Sequence, residues 1–405
     1  LLKITYFSYL YDIKGVSAGS ANKAIGFIGG LRALGHDATI FWRSVQPEDI
    51  EGDSVRLRLR GLLKNVFSYF VHDVRRFLSN IRYFIQEMRI LRHERPDVLL
   101  LRSELYNVSA NLAARLCGIP VVLEVDCPTA YEHRHMSGKD KLQLPVLPEW
   151  IERWNWRVSH ALIALSAIMR DYLVQMGVPT DKITVIPNGA DPDNFRPNVG
   201  GEALRRQYGF QDKVVIGWIG SLFGWEGLDN LLMMARKILK SRSDVAFLFV
   251  GGGKNKDVME RTFEAEDIGT RVVLTGTVPY SDVPPYIDAM DIVLAPYPKL
   301  DFWYPSSMKV FEYMSSQKAV VASAVGQLCE IIQDGKNGFL FDPENMEEFL
   351  QKVLRLVENT RLRETVAKNA RQTVLDEYTW VGHARKMETI MEQIVTSRAS
   401  VPRFD

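Results

Sequence analysis

The stretch "YPSSMKVFEYM", residues 304–314, places Ser306, Lys309 and Glu312 at intervals of three, which stacks them roughly on one helical face. Pro305 and the two serines suit an opening turn, and Val310, Phe311 and Met314 fill the other sides. Free backbone N–H groups in a first turn, with an ammonium nearby, can receive a phosphate. A carboxylate one turn later can accept hydrogen bonds from hydroxyls such as those of a ribose. An amphipathic surface helix with a Lys309–Glu312 ion pair accounts for the same letters, and the segment alone leaves both readings open.

Other chemistry-bearing residues are scattered. "LYDIKGVSAGSANKA" (10–24) follows a first strand, and its Gly15 and Gly19 permit close backbone approach before a helix starting near Ser20. "FLFVGGGKNK" (247–256) is a strand ending in glycines, Gly251 first, but Lys256 breaks the Gly-x-Gly-x-x-Gly pattern of a dinucleotide site. "DPD" (191–193) has the look of a metal-holding pair, yet it sits among Pro and Asn, where Asp favours turns. No zinc-protease, P-loop or serine-elbow motif is present.

Short apolar runs separated by helical patterns must position these residues. Strands are expected at 3–9, 37–42, 97–101, 121–125, 161–165 and 183–187, then at 214–220, 245–251, 272–276, 291–297 and 319–325. Helices are expected at 20–34, 107–117 and 166–176, among others. Val-, Ile- and Leu-rich strands alternating with helices imply parallel sheets covered on both faces. The expected fold is α/β: two doubly wound Rossmann-like domains facing across a cleft, with ligands at the carboxyl ends of the strands. The Pro-, Gly- and Asn-rich segment 187–201 marks the seam. The domains are taken as 1–188, 189–375, and a C-terminal helix, 376–405, crossing back to the first.

A chain of 405 residues is too long for one ordinary core, which agrees with two domains. A formal net charge of +1 gives no signal for nucleic acid. Cys117, Cys127 and Cys329 are few and lack metal-ligand spacing, as expected of reduced thiols in the cytoplasm. "LLKITYFSYL" reads as a strand and lacks the basic start and cleavage site of a secretory signal. No apolar run approaches the length that spans a bilayer.

In the second half "ITVIPNGADPDNFRP" (183–197), "IGSLFGWEGLDNLL" (219–232), "SSMKVFEYMSSQKAVVAS" (306–323), "VGQLCEIIQDGKNGFLF" (325–341) and "YTW" (378–380) occur in order. With "LRALGHDATIF" (31–41) and "VVLEVDCPTAYE" (121–132), they make the chain resemble family 4 of the retaining glycosyltransferases, which have the GT-B fold. The resemblance implies transfer of a sugar, with retention, from a nucleoside-diphosphate sugar to an acceptor hydroxyl. The donor would be a UDP- or GDP-sugar, with no metal required. Glu312 matches the glutamate that binds the ribose hydroxyls. The backbone at Ser306, Ser307 and Met308 would approach the diphosphate and donor sugar. Gly251, Thr277 and Val278 fall where the backbone meets the ribose and base, and Gly19 where the donor is approached. Gly15, Asp126 and Glu132 fall on the acceptor side. Asp126 would orient the acceptor or act as a base, beside Lys309 and Glu312 as the residues of catalysis.

The departures lie on the donor side. Tyr304 stands where the family places the first glutamate of a Glu-x7-Glu pattern, and Ser221 and Glu226 replace two cations that commonly face the diphosphate. Lys309 is the candidate replacement cation. In the front-face mechanism that the family implies, the departing phosphate helps take the acceptor proton, so no enzymic nucleophile is needed.

One stretch of the first domain stands apart. Residues 56–97 place apolar residues from Leu63 to Leu91 at helical spacing among Arg75, Arg76, Arg82, Arg89 and other basic residues. Such a helix can lie on an anionic membrane and bring a lipid-linked or other carbohydrate acceptor within reach. It can equally be a domain helix with its apolar side in the core. The expected setting is cytoplasmic, peripheral on the inner face of the membrane, in polysaccharide or glycolipid synthesis. Alternatives are a catalytically silent sugar-nucleotide-binding partner, a GT-B-fold nucleotide-sugar epimerase and, more remotely, a nicotinamide dehydrogenase.

Overall fold

The computed structural model describes residues 1–8, 18–42, 67–135, 146–222 and 226–399. Gly15 and residues 56–66 of the basic stretch lie outside them.

The first sheet comprises β1 (Lys3–Ser8), β2 (Asp37–Trp42), β3 (Val98–Arg102), β4 (Val121–Val125), β5 (Ala161–Ala164) and β6 (Ile183–Val185), all parallel, in the order β2-β1-β3-β4-β5-β6. The second comprises β7 (Val214–Ile219), β8 (Val245–Val250), β9 (Val272–Leu274), β10 (Ile292–Ala295), β11 (Ala319–Ser323) and β12 (Phe339–Phe341), also parallel, in the order β12-β11-β10-β7-β8-β9. Every expected strand is present, shorter by a residue or two in most cases. The strand β12 was not expected: three residues are too few to show a period of two.

The side-chain period explains why both faces of the second sheet are buried. Along β8, Ala246, Leu248 and Val250 enter one apolar cluster, and Val245, Phe247 and Phe249 enter the other. Successive residues point to opposite faces, so a strand covered on both sides reads as unbroken apolar sequence.

The chain divides into a unit of Leu1–Pro187 with Val381–Asp405, and a unit of Asn188–Trp380. The helix Thr360–Glu377 therefore belongs to the second unit, and the chain rejoins the first within the helix Trp380–Ala399. Inside the first unit that last helix is held by Glu388, whose Oε1 lies 3.0 Å from His36 Nε2. His36 Nδ1 accepts from the Leu2 N–H, which leaves the ring proton on Nε2 to donate. Inside the second unit, the Ala190 N–H donates to the Tyr378 carbonyl and the Trp380 N–H to the Ala190 carbonyl, joining both ends of that unit.

The long basic helix runs Phe67–Glu94 through the described part of its stretch. Its inward face carries Asn80, Glu87 and Leu91, all buried. Asn80 bonds the Tyr106 carbonyl at 2.7 Å and accepts from the N–H groups of Val108 and Ser109. The opposite face exposes Leu78, Ile81 and Ile85 beside exposed Arg75, Arg82 and Arg89. An apolar face wholly in the core is thus not what the helix has, because a polar anchor at Asn80 sets its rotation.

Candidate active site

The helix Met308–Ser315 opens as expected just after the serines. Val310, Phe311, Tyr313 and Met314 are fully buried, which fixes its rotation and so the directions of Lys309 and Glu312. The Tyr313 hydroxyl accepts from the Ile219 N–H at 2.7 Å, tying the helix to the carboxyl end of β7. Asn188 donates its backbone N–H to Ser306 Oγ (3.0 Å) and its side-chain amide to the Ser306 carbonyl (2.7 Å). The Ser307 hydroxyl lies 2.7 Å from that of Tyr297 and makes no capping bond, so the first-turn N–H groups are not closed by their own N-cap side chain.

Glycines bring the carboxyl ends of β7, β8 and β9 together at this point. The Gly220 N–H donates to the Val250 carbonyl and the Gly251 N–H to the Gly276 carbonyl. Gly251 has φ +136°, and a Cβ there would lie 1.8 Å from the Gly220 carbonyl oxygen, so no other residue fits without backbone movement.

Lys309 does not pair with Glu312. Its Nζ is 2.5 Å from Glu226 Oε2, with side-chain exposures of 13% and 6%. The ammonium also stands 4.7 Å from the ring centre of Trp218 and 5.4 Å from that of Tyr297, both within cation–π range. A Cβ on Gly220 would come within 2.7 Å of it. The nearby charge that sequence spacing offered, one turn along the same helix, loses to a carboxylate that the fold brings from the turn after β7.

Glu312 is bonded by the Tyr280 hydroxyl at 2.7 Å. Burial pushes its carboxyl up to about 7, against the opposing effects of that hydrogen bond and of the Lys309 charge. Burial and the adjoining Glu312 push the Tyr280 hydroxyl far up, so it stays a donor. Tyr304, in the place of the family's first glutamate, is buried with its ring against Phe302. Ser221 and Met308 are half-buried, Val278 packs beside the core, and Thr277 is exposed, with its hydroxyl 2.4 Å from where a Cβ on Gly252 would stand. The Asp191 carboxylate accepts from the Asp193 N–H and the Asn194 amide, which makes "DPD" a capped turn.

The first unit carries a separate charged cluster at the carboxyl ends of β1, β3 and β4. Lys23, from the helix Ala18–Ala33 that also contains Gly19, bonds Asp126 Oδ1 and lies 2.6 Å from Glu124 Oε1. Arg102 Nε donates to Asp126 Oδ2 at 2.8 Å, and the Tyr6 hydroxyl donates to Glu124. Burial alone would raise Asp126; the Lys23 and Arg102 charges outweigh it and hold its carboxyl at about 2. A carboxylate so strongly paired is a poor proton acceptor near neutrality. Of the two roles that the resemblance implies for Asp126, this pairing suits orientation better than proton abstraction. Glu132 follows on the helix Thr129–His135 and, with burial, raises the thiol of Cys127. The start of that helix is held by buried Glu152, which accepts from the Thr129 hydroxyl at 2.6 Å and is pushed up to about 7 by burial.

Residues 201–373 match the family model for glycosyl transferases group 1, and residues 19–189 match that for a glycosyl transferase 4-like domain. This chain is a group 1 glycosyltransferase of the GT-B fold, family 4 in type. Among curated relatives, the 2-deoxystreptamine glucosyltransferase of Streptomyces kanamyceticus is 25% identical over 66% of this chain and 69% of its own length. The UDP-Gal:alpha-D-GlcNAc-diphosphoundecaprenol alpha-1,3-galactosyltransferase of Escherichia coli is 22% identical over 82% of this chain and 86% of its own. Among solved structures, the Anabaena protein HepE in complex with UDP superposes with a TM-score of 0.69 at 20% identity, covering 98% of this chain and all (100%) of that one. At that identity the likeness is one of fold.

Sequence reasoning missed Glu226, Trp218, Tyr297 and Tyr280 as companions of Lys309 and Glu312, and Lys23, Arg102, Glu124 and Tyr6 as companions of Asp126. A lysine amid apolar helix residues, as in "SANKAIGFIGG", was the one available hint, since a buried ammonium demands a partner.

Proposed function

We propose that this glycosyltransferase moves a sugar, with retention and without a metal ion, from a UDP- or GDP-sugar to a hydroxyl of a carbohydrate or lipid-linked acceptor. The observation that carries the reading is the placement, one turn apart on one buried helix, of a caged ammonium beside Gly220 and a buried carboxylate: phosphate for Lys309, ribose for Glu312. Glu312 would accept from the ribose hydroxyls, the stronger for being ionised. Lys309 and the N–H groups at Ser307 and Met308 would stabilise negative charge as the bond from the anomeric carbon to the phosphate oxygen breaks. The acceptor oxygen then bonds that carbon on the same face, and its proton passes to the departing phosphate. Gly251, Thr277 and Val278 would border the base. Gly19 would approach the donor, and Asp126, anchored by Lys23 and Arg102, with Glu132 would serve the acceptor side.

Two observations support a lipid-linked acceptor. The exposed face of the helix Phe67–Glu94 mixes Leu78, Ile81 and Ile85 with Arg75, Arg82 and Arg89, as a helix lying on an anionic bilayer would. The Escherichia coli relative is named for a diphosphoundecaprenol-linked acceptor. Among the described residues no helix is long and apolar enough to cross a membrane, and the contact proposed is the peripheral one that this amphipathic helix offers. Co-sedimentation with vesicles containing phosphatidylglycerol should be lost on reversing Arg75, Arg82 and Arg89, at about 1 kcal/mol per charge; binding that survives the reversal ends the membrane reading.

The function itself is tested by thermal stabilisation with UDP, GDP and their sugars, followed by product analysis with the stabilising donor. Stabilisation by one base, with transfer and a retained anomer, is the expected result. Binding without turnover on any acceptor points to the silent partner. Interconversion of the nucleotide sugar with no acceptor present points to the epimerase.

A further inference from the structure

We propose that Glu226 is a built-in counter-ion of the donor site, which competes with the nucleoside diphosphate for Lys309 and so drives release of the product. The inference rests on the reading of the Lys309 helix as the donor site, and it concerns a residue that stands where the family commonly has a cation.

The geometry makes Glu226 a positioning residue. Its carboxylate is 2.5 Å from the Lys309 ammonium and the two side chains are nearly buried, so solvent and salt screen their attraction little. The rings of Trp218 and Tyr297 hold the same ammonium, and the Gly220 backbone leaves it room. The free site is therefore locally neutral at this point. A diphosphate that takes hydrogen bonds from Lys309 must sit close to the Glu226 carboxylate, and the two anions repel across a poorly solvated gap. When the sugar has been transferred, the pair re-forms as the nucleoside diphosphate leaves. A lysine at 226 would add attraction for the diphosphate; the glutamate subtracts it.

Calorimetric titration with UDP, GDP, uridine and guanosine, using the full chain, tests this in the wild type, Glu226→Gln and Glu226→Asp. The glutamine keeps the size and an acceptor oxygen but removes the charge. The diphosphate of the preferred base should bind Glu226→Gln about tenfold more tightly than wild type. The nucleoside, which has no phosphate, should bind both alike, and Glu226→Asp should restore the wild-type diphosphate affinity. Unchanged or weaker diphosphate binding in Glu226→Gln overturns the proposal, as does a parallel shift of the nucleoside, which marks a merely structural role. If Glu226→Gln does not fold, Glu226→Ser is titrated in its place: diphosphate binding tighter than wild type with the nucleoside unchanged supports the proposal, and unchanged or weaker diphosphate binding overturns it. A wild type that binds neither diphosphate removes the donor-site reading along with this one.

Discussion

The two charged clusters are built from the same residue types and differ in how far they are closed. In the first unit Asp126 is gripped by Lys23 and Arg102, and Lys23 is shared with Glu124, which Tyr6 also bonds. In the second, among the described residues, Lys309 has one carboxylate and two aromatic faces, and Glu312 has one hydroxyl. Asp126 is held at about 2 whereas Glu312 rises to about 7, although burial raises Glu124 within the first cluster as well. A closed network fixes backbone, because each charge is compensated inside it. The second is less closed: one carboxylate competes for its cation and one hydroxyl bonds its carboxylate, which leaves each hydrogen-bonding capacity for the ligand proposed above.

The largest effect should come from opening the closed cluster. Lys23→Met leaves Glu124 and Asp126 without their shared cation and should cost about 3–5 kcal/mol in chemical denaturation. A cost below about 1 kcal/mol would mean that the cluster is not what fixes this part of the first unit. Gly251→Ala should follow, at roughly 3 kcal/mol, because its methyl meets the Gly220 carbonyl and the residue must keep a positive φ. Lys309→Ala removes the cation of the open site and should weaken nucleoside-diphosphate binding by about 2 kcal/mol, near thirtyfold, while the nucleoside alone is little affected. Equal losses for both ligands would place the lysine away from the phosphates.

The smallest effect is the sharpest in form. Because burial raises Glu312 from its ordinary 4.5 to about 7, the unfolded chain releases this proton first as pH rises. Its contribution to stability therefore falls between those values, whereas that of Asp126 is gained as pH rises from about 2 and is complete above its ordinary range. Glu312→Gln should flatten the decline. It should also abolish the rise in nucleotide affinity through about pH 7 expected of the wild type as the carboxylate ionises, worth about 1 kcal/mol at pH 8. An affinity independent of pH in both proteins would separate Glu312 from the ribose.

The fold was legible because a parallel sheet buried on both faces writes itself as apolar runs between helices, and each run needs only its own residues to be recognised. The seam near 187–201 showed for the same local reason, in Pro, Gly and Asn, and the chain divides at Pro187. The family showed in motifs that keep their order along the chain. The helix at Met308 and the residues on it could be read from spacing, though not the company they keep. Sequence spacing gave Lys309 a partner one turn away, and the partner proved to be Glu226, 83 positions earlier. It cast Asp126 as a residue that orients the acceptor or acts as a base, but did not show its partner Lys23, 103 positions away. The rotation of the helix Phe67–Glu94 depended on Asn80 reaching the backbone of Tyr106 and Val108.

What this sequence determined alone was the set of elements, their class and the side chains offered at their ends, all products of local periodicity and turn chemistry. Which of those charges are spent on one another, and which stay open to a ligand, was decided only by tertiary structure. The reason is that the energy of a buried charge depends on groups within a few ångströms, and those groups are brought together from opposite ends of a sheet's connections rather than from neighbouring letters.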